Sequence, residues 1–174
     1  MSVAFSRPRP AAIGEFAYPR SVTDFYLFGN NPRNPDWTYG YRGHPKTRGY
    51  DILLDRLRDR TSVFHHADRI GLGDRAAVFQ FDGGWGNIVA VARIRGSALR
   101  SAGDSHAVVP WKVHPLSRWV RGEDLRRDRA FRGRKPFIFG NMQFASPILL
   151  DEARWEAITS RLARSDRNWI EGGP

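Results

Sequence analysis

Arginine and aromatic side chains are the residues of this sequence whose types and spacing could do chemistry. Six Trp, five Tyr and eleven Phe accompany 28 basic residues, all arginine except Lys46, Lys112 and Lys135. A guanidinium presents a planar fork of donors that fits phosphates and base edges and stacks on rings. Between Arg118 and Lys135 stand Arg118, Arg121, Arg126, Arg127, Arg129, Arg132, Arg134 and Lys135, against Glu123, Asp124 and Asp128. That surplus of five positive charges is half of the formal net charge of +10, carried by a short stretch of the chain. A localised basic patch is the electrostatic footprint of phosphate binding. The seven arginines are therefore candidate contacts to a nucleic-acid backbone. The competing reading is an arginine-rich composition with only unspecific attraction for polyanions.

The rings suggest a second kind of contact. Trp85 stands between glycines in Asp82-Gly-Gly-Trp-Gly-Asn87, a hairpin tip where a core position is hard to arrange. Trp37, Tyr39 and Tyr41 lie in a polar segment, 30–49, punctuated by Pro32, Pro35, Gly40, Gly43, Pro45 and Gly49. Trp111 and Trp119 flank a strand, and one of them is expected in the core. A ring in a loop beside an arginine patch can stack on an unpaired or everted base, worth about 1–3 kcal/mol per base. It can also cage a methyl group by apolar contact and cation–π attraction. The alternative is that these rings simply pack their loops onto the domain. Trp155 is assigned to packing.

Catalytic arrangements are sparse. There is no cysteine, which removes thiolate chemistry, disulfides and Cys-ligated zinc together. Of the five histidines, His65 and His66 are adjacent and point to opposite faces of an extended chain, a poor metal pair. His44 and His106 are isolated, and His114 completes no metal-binding spacing. Many nucleases place an acid two residues before a catalytic lysine; those positions here are His44, Pro110 and Gly133. Gly71-Leu-Gly73 is too short for a phosphate loop and reads as a turn before a strand. Neither enzyme activity, metal nor cofactor is expected.

The elements that must position these residues read as follows. Residues 1–20, with Pro8, Pro10 and Pro19 among Arg7, Arg9 and Arg20, form a basic arm, disordered or laid along an acidic partner. Residues 21–170 form one α+β domain with a largely antiparallel sheet. Strands are expected at 24–28, 76–81, 88–94 and 108–116, and extended chain at 136–148. Tyr50, Leu53, Leu54 and Leu57 mark an amphipathic helix, and a short helix is expected at 123–128. Asp151 caps a last helix whose Trp155, Ile158 and Leu162 form its apolar stripe. No apolar run approaches the 18–20 or so residues that cross a bilayer. Arg7-Pro-Arg-Pro10 interrupts any signal-peptide core. A cytoplasmic, nucleoid-associated protein is expected.

In order and spacing these segments resemble the EVE domain family of the PUA superfamily, relatives of the YTH domains. The nearest likeness is to EVE-type modules of modification-dependent restriction systems. The matching stretches are Phe25-Tyr-Leu-Phe-Gly-Asn-Asn-Pro32, Tyr50-Asp-Ile-Leu-Leu-Asp-Arg-Leu57 and Arg69-Ile-Gly-Leu-Gly-Asp-Arg75 leading into 76–79. Gly86-Asn-Ile-Val-Ala-Val-Ala92 and the strand and helix of 144–158 complete the set. The aromatic insertion at 33–48 and the arginines of 118–135 depart from the pattern. The resemblance implies a PUA/EVE-like pseudo-barrel flanked by helices, a non-enzymatic reader of DNA carrying a modified base such as 5-methylcytosine. The base would be flipped into an aromatic pocket with Trp37, Tyr39, Trp85 and Trp111 as walls and Asn141 as a base-edge contact. Asn30, Asn31, Asn87 and Gln143 are further amides near that position, Asn30 and Asn31 fitting turn capping as well. A separate nuclease or translocase subunit would supply any cleavage. The rival expectation is an RNA-binding PUA/ASCH-like protein or ribonuclease.

Overall fold

The computed structural model describes residues 22–30, 60–63, 66–80, 86–100, 107–132 and 147–172. Two apolar runs in these residues dictate the centre of the molecule. Arg75-Ala-Ala-Val-Phe-Gln80 and Asn87-Ile-Val-Ala-Val-Ala-Arg-Ile94 are buried on both faces, which only inner strands of a sheet can be. They are β3 (Arg75–Gln80) and β4 (Asn87–Ile94), joined antiparallel with an irregularity between Val78 and Phe79. Outside them lie β1 (Phe25–Asn30), β2 (Arg60–Val63), β5 (Ala107–Arg121) and β6 (Ile148–Leu150), in the order β2-β5-β4-β3-β1-β6. Only β1 and β3 run parallel; the other pairings are antiparallel. Among the described residues no ladder joins β2 to β6, so the sheet is not closed. Three helices complete the α+β fold: α1 (Gly122–Arg127), α2 (Glu152–Thr159) and α3 (Arg164–Glu171).

Each face of the sheet carries its own core. On one, Leu27, Ala77, Phe79, Ile88 and Val91 meet Trp155, Ile158 and Ile170 from the helices and Leu162 from the turn between them. Phe25 stacks on Trp155 there, ring centroids 4.8 Å apart and planes 12° from parallel. On the other face, Tyr26, Phe28, Ala76, Val78, Ala90 and Ala92 enclose Val63, Ile70, Val109 and Trp111. Burying each large side chain contributes about 1.5–3 kcal/mol, so the two layers together hold both sides of the inner strands.

Several boundaries differ from the sequence reading. The first strand runs to Asn30 rather than stopping at 28, because parallel pairing with β3 continues through Gly29↔Phe79 to Asn30↔Gln80. The strand expected at 108–116 runs on to Arg121. It leaves the β4 ladder at Pro115 and rejoins it at Val120, so Leu116, Ser117, Arg118 and Trp119 stand opposite the single residue Val89. The last helix is two helices. Asp151 caps α2 as expected, its Oδ1 accepting from the Arg154 N–H at 2.9 Å. The chain then turns at 160–163, and Arg167 of α3 donates to the carbonyls of Thr159 (2.9 Å) and Ser160 (2.7 Å). Those bonds satisfy groups that a helix end leaves unpaired. The arm of 1–20, the helix at 50–57 and the extended stretch at 136–146 lie outside the described residues.

Candidate functional site

The carboxyl end of β3 and the start of β4 bring two amides together. Register places Gln80 opposite Asn87 and Asn87 opposite Arg121, a polar row across three neighbouring strands. Directly paired residues point to the same face. Alternation along β3 puts Gln80 on the face of Ala76 and Val78, the second core. One same-face step back, about 6–7 Å along the strands, Phe28 packs on Trp111 with ring centroids 4.9 Å apart. The row therefore follows Phe28 along the strands, while Trp111 reaches that ring from the other end of the β4–β5 ladder, opposite Ile94.

Gln80 is the unusual member. The residue is only 6% exposed, and among the described residues its Oε1 is buried with no hydrogen-bond partner. An unsatisfied buried acceptor costs about 1–3 kcal/mol, and native proteins keep few of them. Sequence reasoning passed over Gln80. The signal was present as a lone amide ending Ala-Ala-Val-Phe, an otherwise apolar strand.

The basic groups adjoin this row. Gly86 closes the β3–β4 connection with φ +66°, and its carbonyl accepts from the Gly122 N–H that opens α1, at 2.9 Å. A Cβ on Gly86 would lie 2.3 Å from the Phe79 ring and 2.8 Å from the Gln80 carbonyl. Glycine at 86 thus lets α1 dock against the end of the sheet. Arg121 and Arg127 both pair with Glu123, at 2.7 and 2.5 Å, and the Arg132 Nε donates to the Arg127 carbonyl. Among the described residues Arg118 and Arg129 make no ion pair. Arg126, Arg127, Arg129 and Arg132 are exposed on α1 and the turn after it, and Arg118 is exposed on the β5 bulge beside Trp119, which is 39% exposed. Part of the positive surplus seen in the sequence is thus already spoken for by Glu123.

A groove of about 460 Å³ lies between the turn after α1 and α2, with Asp128 and Arg129 on one wall and Glu156 on the other. The Ala130 N–H, and then Arg161 at 2.8 Å, hold the Asp128 carboxyl below its usual value, so it stays ionised. Two carboxylates make this groove a poor seat for phosphate. Arg126, Arg127 and Arg132 are exposed outside it.

Of the residues singled out from the sequence, the structure sets Arg121 beside the amide row and Arg118 on the bulge, with Arg126, Arg127, Arg129 and Arg132 following on α1 and its turn. Trp111, proposed as a pocket wall, is a core residue 2% exposed, and Trp119 is the exposed member of that pair. Trp37, Tyr39, Trp85, Asn141 and Arg134 lie outside the described residues.

Solved structures share this arrangement. A hypothetical protein from Leishmania major superposes with a TM-score of 0.54 at 10% identity, covering 80% of this chain and 94% of that one. The human THYN1 protein, solved in complex with 5-methylcytosine containing DNA, superposes with a TM-score of 0.51 at 11% identity, covering 87% of this chain and all of its own. The fold is EVE-like. No protein-family model and no curated protein matches the sequence. At these identities the EVE-like likeness is one of backbone path, which leaves the chemistry to this chain's own side chains.

Proposed function

We propose that the protein is a non-enzymatic reader of modified DNA that takes an everted base into the end of its sheet. The observation that carries the reading is the meeting of an amide row, Gln80 and Asn87, with exposed arginines at one end of an EVE-like sheet. Amides pair with base edges and guanidinium groups with phosphates, and the reading needs both within one nucleotide's reach. The DNA complex of the human THYN1 protein, similar in fold, supports the choice of DNA and of 5-methylcytosine as the first modification to test. Everting a base costs a few kcal/mol, which stacking and edge hydrogen bonds must offset. Trp37, Tyr39, Trp85 and Asn141 remain proposed contributors to the pocket, with Phe28, backed by Trp111, as its apolar floor. Arg118, Arg121, Arg126, Arg127, Arg129, Arg132 and Arg134 would grip the strand. A separate nuclease or translocase would act on what this chain marks.

The test is competition binding with short duplexes and single strands of DNA and RNA, each carrying one modified base. Preference for a modified DNA strand over its plain counterpart supports the reading. Equal affinity for every strand would leave only the unspecific polyanion attraction of a basic protein. Preference for RNA, or cleavage of it, would favour the rival RNA-directed reading.

A further inference from the structure

We infer that Trp119 is a stacking platform for an ordinary base of the bound strand, next to the everted nucleotide, with Arg118 and Arg121 on the adjoining phosphates. The inference rests on the nucleic-acid part of the reading above and adds a second subsite, indifferent to modification. Tyr26, Phe28, Phe79, Trp111 and Trp155 are all spent on the core, whereas Trp119 is 39% exposed. A single exposed ring says little by itself; this one stands on a braced support. The β5 bulge leaves the β4 ladder for four residues, Leu116 to Trp119, opposite Val89. Leu116 and Val120 anchor it in the first core, and Ser117 donates its N–H and hydroxyl to the buried Asp166. Arg118 and Trp119 are left to solvent. Because Val120 turns into the first core, Trp119 and Arg121 turn to the other face, which Asn87 shares. A ring held in place loses little conformational freedom on stacking, and guanidinium groups before and after it in the chain suit the phosphates of one strand. Glu123 pairs with Arg121 yet leaves its side chain 66% exposed. Arg121 stands two strands from Gln80, about 10 Å across the sheet, and Trp119 lies about 6–7 Å further back along β5. That span exceeds one base, so Trp119 serves a neighbour of the nucleotide at the sheet end.

The test uses the full chain and short single-stranded DNA with one central cytosine or 5-methylcytosine, whose neighbours are either thymidines or abasic sites. Two affinity ratios are read: base-bearing over abasic neighbours, and 5-methylcytosine over cytosine. The native protein is expected to bind oligonucleotides with base-bearing neighbours at least about fivefold more tightly, equivalent to about 1 kcal/mol. Trp119→Ala is expected to bring that ratio to within about twofold. It should leave the 5-methylcytosine preference and the salt dependence as they are, because an indole carries no charge, and shift the Tm by less than about 2 °C. Trp119→Phe keeps a stacking face and is expected to hold the ratio above about threefold. A merely structural Trp119 would instead lower the Tm and weaken every oligonucleotide alike, and that result overturns the inference. A native ratio near one, or a ratio that survives Trp119→Ala, overturns it too. Loss of the 5-methylcytosine preference in Trp119→Ala would put the ring in the pocket and overturn the neighbouring subsite. Equal native affinity for cytosine and 5-methylcytosine overturns the modified-base reading and leaves the first ratio to decide Trp119. Failure to bind any oligonucleotide overturns the reading and the inference together.

Discussion

Gly86 and Asp166 show how single positions hold this site in place. Gly86 occupies the left-handed region at φ +66° with the Phe79 ring and the Gln80 carbonyl where its Cβ would be. Gly86→Ala is expected to cost 2 kcal/mol or more, from backbone conformation and from displacement of Phe79, at about the upper range for such strained positions. Urea unfolding measures it, and a loss below about 0.5 kcal/mol would mean that the connection relaxes without strain. Asp166 is 2% exposed and accepts from His114 Nε2 at 3.0 Å, Ser117 N–H at 3.0 Å and Ser117 Oγ at 2.8 Å. Burial pushes its carboxyl up, but the bonds from His114 and Ser117 outweigh burial and hold it below its ordinary value. A carboxyl lowered on folding stabilises the native state at pH above its unfolded value of about 4 and loses that contribution as pH falls through the folded value. Asp166→Asn is therefore expected to be about 2 kcal/mol less stable at pH 7. Its stability should also fall less steeply than the native protein's below pH 4 or so. Parallel acid limbs for the two proteins would assign the acid sensitivity elsewhere.

At the scale of elements, α3 and the β5 bulge form one device. The bulge leaves Ser117 off the β4 ladder, and its N–H and hydroxyl turn to Asp166 of α3 instead. Trp169 of the same helix is held between two β-strand side chains. The Arg93 guanidinium lies 4.6 Å from its ring centroid, and the His114 ring stacks on it at 4.7 Å and 16°. Burial, and then the like charges of Arg75 and Arg95, lower the Arg93 pKa from its ordinary value, without removing its charge. Docking α3 against Ser117 fixes one end of the bulge whose next two residues, Arg118 and Trp119, face outward. Trp169→Ala is expected to destabilise the protein by about 3 kcal/mol, within the range for removing a packed tryptophan. Hydrogen exchange should accelerate first in α3 and at Ser117, and equal acceleration throughout the sheet would argue against a separable device.

For the molecule as a whole, the proposed reading assigns affinity to charge and selectivity to the end of the sheet. Arg118 and Arg129 make no ion pair among the described residues, whereas Arg121 and Arg127 are shared by Glu123. Removing Arg118 and Arg129 together is expected to weaken modified and plain DNA alike. The slope of log K against log salt should then fall by about one for each arginine in contact with phosphate. Titrations between low and moderate salt measure both quantities. Loss confined to the modified strand would move these arginines from the backbone to the base.

The sequence by itself determined the kinds of interaction open to this chain and most of its strands. The buried runs of β3 and β4 were legible because inner strands need apolar residues on both faces. The Asp151 cap was legible because capping is a local bond three residues long. The basic patch was also readable from composition, because charges count wherever the chain puts them. Register and ion pairing were not local. That Gln80, Asn87 and Arg121 form one row depends on the pairing of three strands and a bulge of four, and no periodicity records either. Trp111 and Trp119 were indistinguishable as residues; the ladder carried one into the core beside Phe28 and the bulge turned the other outward. Helix α3 was missed because its hold on the molecule comes from Asp166 and Trp169 meeting β4 and β5 and from the single buried Ile170, too few apolar positions to read as a stripe. Tertiary structure decided these points because each depends on which strand end meets which across the sheet.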